Sequence, residues 1–564
     1  MNIDKKTKND NFIKRENDST KKAIELMYKI IASIIILLWP VCTFAETKDR
    51  IDTKNYIIVI KGDLGEFKLQ SEVKEVEPGL ELVTIKLNAD KLSSPPKVTF
   101  FLETSLYNVA GFWSAEKEWS KECIWQYEFT SRLATYARVI TYFSTENANV
   151  QTFDVSDAIN SIPKSAKVNE VNGNSNCSIS LFTEPHPLLS NYEFTIRLDK
   201  RNIPYYQALK DVSKWWEVMP EYTPDAPPAA DKQAMYSTWY LFHSQVSPEK
   251  ILEQCKLSQS LGCKSVLVDD GWQVSREKIG YTYSGDWNPG LIPNPALLSK
   301  QIHAMDMKVI YWYAVPFIGD KSYNYERFKG KYQYKSDWKW ADVWILDPRF
   351  PEVREFLIEK YSKTIMEWGL DGLKLDFIDM LITQQGTVME QTGGRDFASI
   401  NLATDKLMTD IKIAHKKIKP DVMIEFRHRY TGPAMRKYVN MFMAHDCANS
   451  FTENRILTLD LRLIAGETAV HSDMITCCYT EPVESAAFQL LNVMFSVPQI
   501  SVRLQDIPAS HQKSCSSGCH FGMDTIKPYW YLISNPCIPT EAIQLCIAAL
   551  KKNVSLVFTN HDLF

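Results

Sequence analysis

The sequence predicts a multidomain protein in which an all-β sandwich precedes a (β/α)8 TIM barrel and a C-terminal β domain is truncated. Three observations carry that prediction. From about residue 50 to 200, short runs rich in β-branched and aromatic residues alternate with polar turn clusters, and no long helical period intrudes. Beyond residue 232 the rhythm changes to strand, loop, helix, repeated through eight units over about 270 residues. After about residue 511 neither a helix nor a sheet is evident, and four of the 12 Cys fall within Cys515–Cys546. The length of 564 residues accommodates such a layout, at roughly 100–200 residues per domain.

The elements follow in chain order. Residues 1–29 carry eight Lys/Arg and five Asp/Glu, and residues 30–45 carry no charge. The apolar run around Ile34-Ile35-Ile36-Leu37-Leu38-Trp39 is shorter than the ~20 residues of a bilayer span but fits a signal peptide. Pro40 ends it and Thr43-Phe44-Ala45 offers a cleavage site. Residues 1–45 are therefore read as an extension plus signal peptide, and the protein as periplasmic or secreted. Removing this segment, with its net +3, takes the formal charge from −4 to −7, and no stable membrane span is expected afterwards.

Residues 46–220 form the predicted sandwich, with its clearest strands at 56–60, 97–102, 138–143 and 192–198. A short helical stretch at 205–218 precedes a linker marked by Pro220, Pro224, Pro227 and Pro228. Residues 232–510 form the predicted barrel. Its strands are expected at 237–240, 265–268, 308–314, 372–375, 422–426, 440–444, 467–470 and 499–502. Helices such as 248–261, 351–368 and 398–417 lie between them, and Val353, Phe356, Leu357, Tyr361 and Ile365 mark one apolar helical face. A doubly wound open sheet would bring a Gly-rich phosphate turn, which this region lacks. Residues 511–564 are read as an atypical segment, truncated or frame-shifted.

Composition narrows the function classes. With 64 Lys+Arg against 68 Asp+Glu there is no electrostatic footprint for nucleic acid. Ordinary Pro, Gly and charge contents exclude global disorder. The 12% aromatic residues exceed what core packing usually requires, and such a surplus often lines ring-binding sites. The cysteines show no paired Cys-x-x-Cys spacing for a metal, and Cys515-Ser-Ser-Gly-Cys519-His520 has one residue too many for haem attachment. Disulfides are not assignable from spacing.

Chemistry concentrates at the strand ends, where a barrel places its catalytic groups. The second strand ends Val268-Asp269-Asp270-Gly271-Trp272, the fourth Lys374-Leu375-Asp376-Phe377, the fifth Glu425-Phe426-Arg427 and the sixth Ala444-His445-Asp446. Buried carboxylates are costly unless used or paired, so a convergent set points to chemistry. Lys374 and Asp376 stand two apart and face the same side of a strand. A cation there keeps the carboxylate ionised, as a nucleophile must be. A second, protonated carboxyl group would assist a leaving group. A gap of about 5–5.5 Å between the two marks a retaining glycosidase and about 6.5–9.5 Å an inverting one, which sequence leaves open.

These segments carry a resemblance. Ser237-Thr238-Trp239-Tyr240, Asp269-Asp270-Gly271-Trp272-Gln273, Gly285-Asp286-Trp287, Leu346-Asp347-Pro348, Asp371-Gly372-Leu373-Lys374-Leu375-Asp376, Asp446 with Arg455, and His471-Ser472-Asp473 resemble the melibiase-type enzymes of glycoside hydrolase family 36. Order and spacing match over about 235–505. The resemblance implies a β-sandwich, a catalytic barrel and a C-terminal β domain, acting on terminal α-galactosyl groups with retention. It implies Asp376 as nucleophile and Asp446 as general acid/base. It also implies Asp269, Asp270, Trp272, Trp312, Lys374 and Arg427 as substrate-binding or orienting residues, an oligosaccharide or glycan as the partner, and no metal or cofactor, since protonation and covalent attack suffice.

The chain departs from the family's Cys-x-x-Gly-Gly-Gly-x-Arg element after strand five, where it has Glu425-Phe426-Arg427-His428-Arg429-Tyr430-Thr431-Gly432. Specificity for simple α-galactosides is thereby open. A transglycosylase resembling raffinose synthases and a non-catalytic carbohydrate-binding relative are the alternatives, and homo-oligomerisation is left open. Trp113 and Trp119 are read as packing residues before site residues, Gly393-Gly394-Arg395-Asp396 as a turn and helix cap, Asp379 as either structural or backing the catalytic residues, and His471 as either structural or sugar-binding.

Overall fold

The computed structural model describes residues 45–46, 49–117, 121–273, 280–338, 342–427, 429–477 and 479–521. The predicted leader, up to its cleavage site, and the tail from residue 522 lie outside the described residues. The chain divides into two compact units, Met1–Glu46 and Thr47–Phe564. In the first, Ala45–Glu46 forms a two-residue strand, β1. The second holds both the sandwich and the barrel.

The sandwich strands are β2 (Arg50–Asp52), β3 (Ile57–Lys61), β4 (Lys68–Glu77), β5 (Leu80–Ser93), β6 (Val98–Ser105), β7 (Val109–Ser114), β8 (Gln126–Ser131), β9 (Ile140–Ser144), β10 (Asn149–Val155), β11 (Ile162–Asn169), β12 (Asn174–Leu181) and β13 (Leu189–Asp199). One antiparallel sheet takes the order β4-β5-β13-β10-β9-β7 and the facing one β2-β3-β6-β12-β11-β8. Period-two burial explains the layering. In β3, Ile58 and Ile60 point inward while Ile57, Val59 and Lys61 face out, and in β6 Val98, Phe100 and Leu102 are buried. Between the sheets Phe100 meets Phe194 edge-on at 5.5 Å.

Helix α1 (Tyr205–Glu217) seals the sandwich to the barrel. Its Leu209, Val212 and Trp216 pack with Trp113 and with Ile464 of the barrel layer. Trp113 Nε1 donates to Asp460 Oδ1 at 2.8 Å, and Trp216 Nε1 to Asp154 Oδ2 at 2.6 Å. Trp113 is therefore a seam residue, and Trp119 lies outside the described residues.

The barrel region contains β14 (Met235–Ser237), β15 (Ser265–Val268), β16 (Lys308–Ala314), β17 (Phe317–Gly319), β18 (Tyr332–Lys335), β19 (Val343–Leu346), β20 (Gly372–Asp376), β21 (Met423–Arg427), β22 (Met441–Met443), β23 (Ala469–Ile475) and β24 (Val497–Ile500). The closed parallel ring is β14-β15-β16-β20-β21-β22-β23-β24, and β24 pairs back onto β14 through Met235↔Gln499 and Tyr236↔Ile500. Strands β17, β19 and β18 form a small sheet in the excursion after the third barrel strand.

The outer helices are α2 (Pro248–Ser260), α3 (Pro295–His303), α4 (Pro351–Trp368), α5 (Ile400–Ile418), α6 (Phe451–Ile464), α7 (Val483–Asn492) and α8 (Ala509–Phe521). Pro248 and Pro295 open their helices where no backbone donor is needed, and Ser247 and Asn294 cap the exposed N–H groups. Between β21 and β22 the described residues carry only the 3-10 turn Met435–Lys437. Met235, Leu267, Ile310, Met423, Met441, Met443 and Met474 fill the ring interior, so the barrel is a packed core.

Three expectations change. The seventh strand runs Ala469–Ile475 instead of 467–470, because His471, Ser472 and Asp473 are buried within it and their polarity hides a strand. A helix, α8, exists where none was evident, since its Ser- and Cys-rich sequence has low intrinsic helix propensity. The first barrel strand also ends early, at Ser237, and Trp239–Phe242 form a helical turn above it.

Candidate active site

Asp376 closes β20 at the C-terminal mouth of the ring, and its two oxygens are treated unequally. Oδ1 accepts the Phe377 N–H at 2.7 Å and the Tyr430 hydroxyl at 2.8 Å, and lies 2.9 Å from Arg427 Nε. Oδ2 accepts only from Trp312 Nε1, at 3.1 Å, among the described residues. Burial alone would raise this carboxyl. Arg427 and Lys374, with the Trp312 and Tyr430 donors, outweigh it and hold Asp376 below the usual carboxylate range. Trp312 reaches Asp376 from the third strand, which pairs Trp312↔Lys374 and Ala314↔Asp376 with β20.

Arg427 spans the site. Its Nη1 lies 3.7 Å from Asp446 Oδ2, while its guanidinium sits 5.4 Å from the Phe377 ring centroid. Asp446 is the exposed member, with 47% of its side chain accessible, on the loop beyond β22. That loop is tied down from beneath. Asp473 Oδ2 accepts the Cys447 N–H at 2.7 Å and the Tyr240 hydroxyl at 3.0 Å, and Asn454 clamps the Asp473 backbone. Burial, with the charge of Asp446 nearby, pushes Asp473 up to about 7.

Lys374 shares the face of Asp376, as the alternation predicts, but pairs with Asp269 Oδ2 at 2.8 Å. It acts on Asp376 through charge alone. Burial presses its amine downward, yet Asp269, Glu425 and Asp376 together keep it above its ordinary value. Asp270 Oδ2 accepts the Tyr281 hydroxyl at 2.6 Å and Oδ1 accepts Gln273 Nε2 at 2.7 Å, and burial pushes it up to about 6.

Gly271, at φ +106°, lets the chain pass where a Cβ would stand 2.6 Å from Ser244 Cα. The turn sends Trp272 the other way. Its ring is fully buried against Trp287, Tyr311, Tyr313 and Trp368, and its Nε1 donates to Trp312 O at 2.9 Å. Trp272 is thus not brought to the site: it packs between barrel and helices, where an indole fits because its one donor finds a carbonyl.

The structure adds residues that sequence reasoning did not assign. Tyr430 bridges Asp376 and Asp379, with Asp379 Oδ1 at 3.0 Å. Tyr281, Phe317, Trp338 and Phe377 surround Trp312 as an aromatic wall, Phe317 and Phe377 stacking at 4.5 Å. They come from loops and an inserted sheet, so only the aromatic surplus signalled them. His471 is structural: its Nε2 bonds Asp231 O at 2.7 Å and its Nδ1 meets Gln499 Nε2 at 3.1 Å. Arg395 pairs with buried Asp347 and Asp396 with Arg354, which pins the Gly393-Gly394 turn to the scaffold. Among the described residues no group of three or more His, Cys, Asp or Glu is arranged to hold a metal, and no helix is long and apolar enough to cross a membrane.

No protein-family model matches the chain, and no curated protein matches it by sequence. Solved structures do resemble it. A family 36 α-galactosidase of Geobacillus stearothermophilus, solved in complex with raffinose, is 12% identical with a TM-score of 0.62, covering 87% of this chain and 74% of that one. The α-galactosidase of Lactobacillus brevis is 12% identical at a TM-score of 0.59, covering 87% and 70%. That of Thermus thermophilus, bound to p-nitrophenyl α-D-galactopyranoside, is 12% identical at 0.53, covering 85% and 94%. This chain therefore has the fold of the glycoside hydrolase family 36 α-galactosidases.

Proposed function

We propose that the protein is a retaining glycosidase that releases terminal α-linked galactose, or a close analogue, by double displacement. The observation that supports it best is the asymmetry at Asp376. Oδ1 is saturated by donors that hold the negative charge, and Oδ2, met only by Trp312 among the described residues, is the oxygen directed at substrate. In the first step Oδ2 forms a bond to the anomeric carbon as the bond to the leaving oxygen breaks, and Asp446 gives that oxygen its proton. In the second, Asp446 takes a proton from water, whose oxygen attacks the anomeric carbon and frees Asp376. Arg427, between the two carboxylates, counters charge on whichever is ionised. Asp269 and Asp270 supply acceptors for sugar hydroxyls, and the Trp312 face supplies an apolar wall. The charge-free run after residue 29 supports export, with the enzyme acting in the periplasm or outside the cell.

The test is hydrolysis of an aryl α-galactoside by wild type, Asp376→Ala and Asp446→Ala. The expected result is turnover by wild type, loss of about 10³-fold or more in Asp376→Ala, and partial recovery with azide, which substitutes for the missing nucleophile. Absence of wild-type turnover on several α-glycosides would defeat the assignment, and full activity of Asp376→Ala would defeat the mechanism.

A further inference from the structure

The two cations of the site are held in different ways. Lys374 is fixed: it is buried, and its Nζ donates to Asp269 Oδ2 at 2.8 Å. Arg427 is not pinned by such a bond. Its Nε comes within 2.9 Å of Asp376 Oδ1 but makes no directed hydrogen bond there, and its Nη1 stands 3.7 Å from Asp446 Oδ2. The guanidinium lies beside the Phe377 and Tyr430 rings, 5.4 and 5.9 Å from their centroids. Ring faces attract a guanidinium without fixing where it sits along its own plane. A shift of about 1 Å would bring Nη1 to the ~2.8 Å of a charge-assisted hydrogen bond with Asp446. Other groups act on the same space: Lys374 from β20, Asp473 from β23 and Tyr240 from the turn after β14 face Asp446, His445 and Cys447 flank it, and Asp379 faces Arg427. Asp473 and Tyr240 are bonded to each other, and Asp473 also holds the Cys447 N–H. Among the described residues, Arg427 is the one cation at ion-pair distance from both Asp376 and Asp446.

We propose that Arg427 is a positioning residue that follows the negative charge from Asp376 to Asp446 and back once in every turnover. The proposal rests on the double-displacement reading above. In the free enzyme Asp376 is the anion and holds the guanidinium, which leaves Asp446 able to carry a proton. In the first step Asp376 Oδ2 bonds to the anomeric carbon, the bond to the leaving oxygen breaks with its electron pair, and the Asp446 proton goes to that oxygen. One negative charge thereby passes from Asp376, now an ester, to Asp446. Arginine stays protonated throughout, so it responds only by moving, and the nearer anion draws it. Beside Asp446 it keeps that carboxylate ionised until the attacking water gives up a proton to it. The ester bond then breaks, its electron pair returns to Asp376, and the guanidinium returns with the charge.

The experiment uses the full chain and 2,4-dinitrophenyl α-galactoside, whose phenolate leaves without a proton. The second step then limits kcat, and the acid limb of kcat reports Asp446 in the glycosyl-enzyme, because an esterified Asp376 does not titrate. Arg427→Gln should move that limb upward by at least about one pH unit. Azide, a nucleophile that needs no base, should restore turnover below the limb. Arg427→Lys, which keeps the charge, should leave the limb nearer to wild type than Arg427→Gln does. A residue that only packs would lower kcat equally at every pH. A second measurement needs no variant: wild type trapped with 5-fluoro-α-galactosyl fluoride and crystallised should show the guanidinium hydrogen-bonded to Asp446 at about 2.8 Å. An unmoved limb in Arg427→Gln, or a guanidinium still beside Asp376 in the trapped enzyme, overturns the proposal and leaves the glycosidase reading intact. Absence of both turnover and trapping in wild type defeats the two together.

Discussion

Tyr430 has one proton to give and two carboxylates within reach. Its hydroxyl lies 2.8 Å from Asp376 Oδ1 and 3.0 Å from Asp379 Oδ1, so both cannot be served as ionised acceptors. Burial pushes Asp379 upward, while Asp376 is held down. Asp376, held as the anion, is the stronger acceptor for the Tyr430 hydroxyl. Tyr430→Phe removes that donor. It should lower kcat about 10–100-fold with KM little changed, and move the acid limb of the pH–rate profile upward because Asp376 is then less stabilised as an anion. An unmoved acid limb would show that Tyr430 only packs. The charged pattern at the strand ends was legible in the sequence because strand periodicity alone puts Lys374 and Asp376 on one face. Tyr430 was not, because its relation to Asp376 depends on a loop path that no local spacing encodes. Trp272 misled for the converse reason: it sits beside two inward carboxylates but turns outward at Gly271. Trp272→Ala should cost about 3–5 kcal/mol of stability, measured by urea unfolding, while the KM of whatever protein folds stays unchanged.

At the scale of elements, the loop carrying Tyr430 is shaped by the sandwich. Tyr136 N donates to Arg429 O at 2.9 Å and Ala137 N to Thr431 Oγ1 at 3.2 Å. At Gly432 a Cβ would stand 2.3 Å from Leu133 O, so the two backbones can approach only without a side chain there. Gly432→Ala must push the segments apart. It should cost about 1–3 kcal/mol and reduce kcat through Tyr430, read as a drop in Tm together with lost turnover. The long amphipathic helix Pro351–Trp368 and the apolar run Lys308–Ala314 were predicted at their observed bounds, because local periodicity specifies them. Helix α8 escaped prediction, and strand β23 was expected only at 467–470. Both rest on tertiary context: His471, Ser472 and Asp473 are buried in β23, and α8 packs against α7 with Cys515 and Cys519 buried.

For the molecule as a whole, several buried acids make stability depend on pH. Burial pushes Glu425 up to about 7, Asp473 up to about 7 and Asp270 up to about 6. Between the ordinary carboxylate range near 4 and these values, the folded state binds more protons than the unfolded state. Stability therefore falls as pH rises through that window. The protein should melt higher at pH 5 than at pH 7.5, and Glu425→Gln should narrow the difference by at least about 2 °C, as read by calorimetry. An unchanged difference would place the proton elsewhere. Synthesis order gives the sandwich contact at Gly432 another meaning. The chain is made from its amino terminus, so the sandwich emerges before the barrel and domains fold as units. The segment bearing Tyr430 then docks against a surface that already exists. A fragment beginning at residue 232 has no such template, and its ring can close while the loop over Asp376 has nothing to copy.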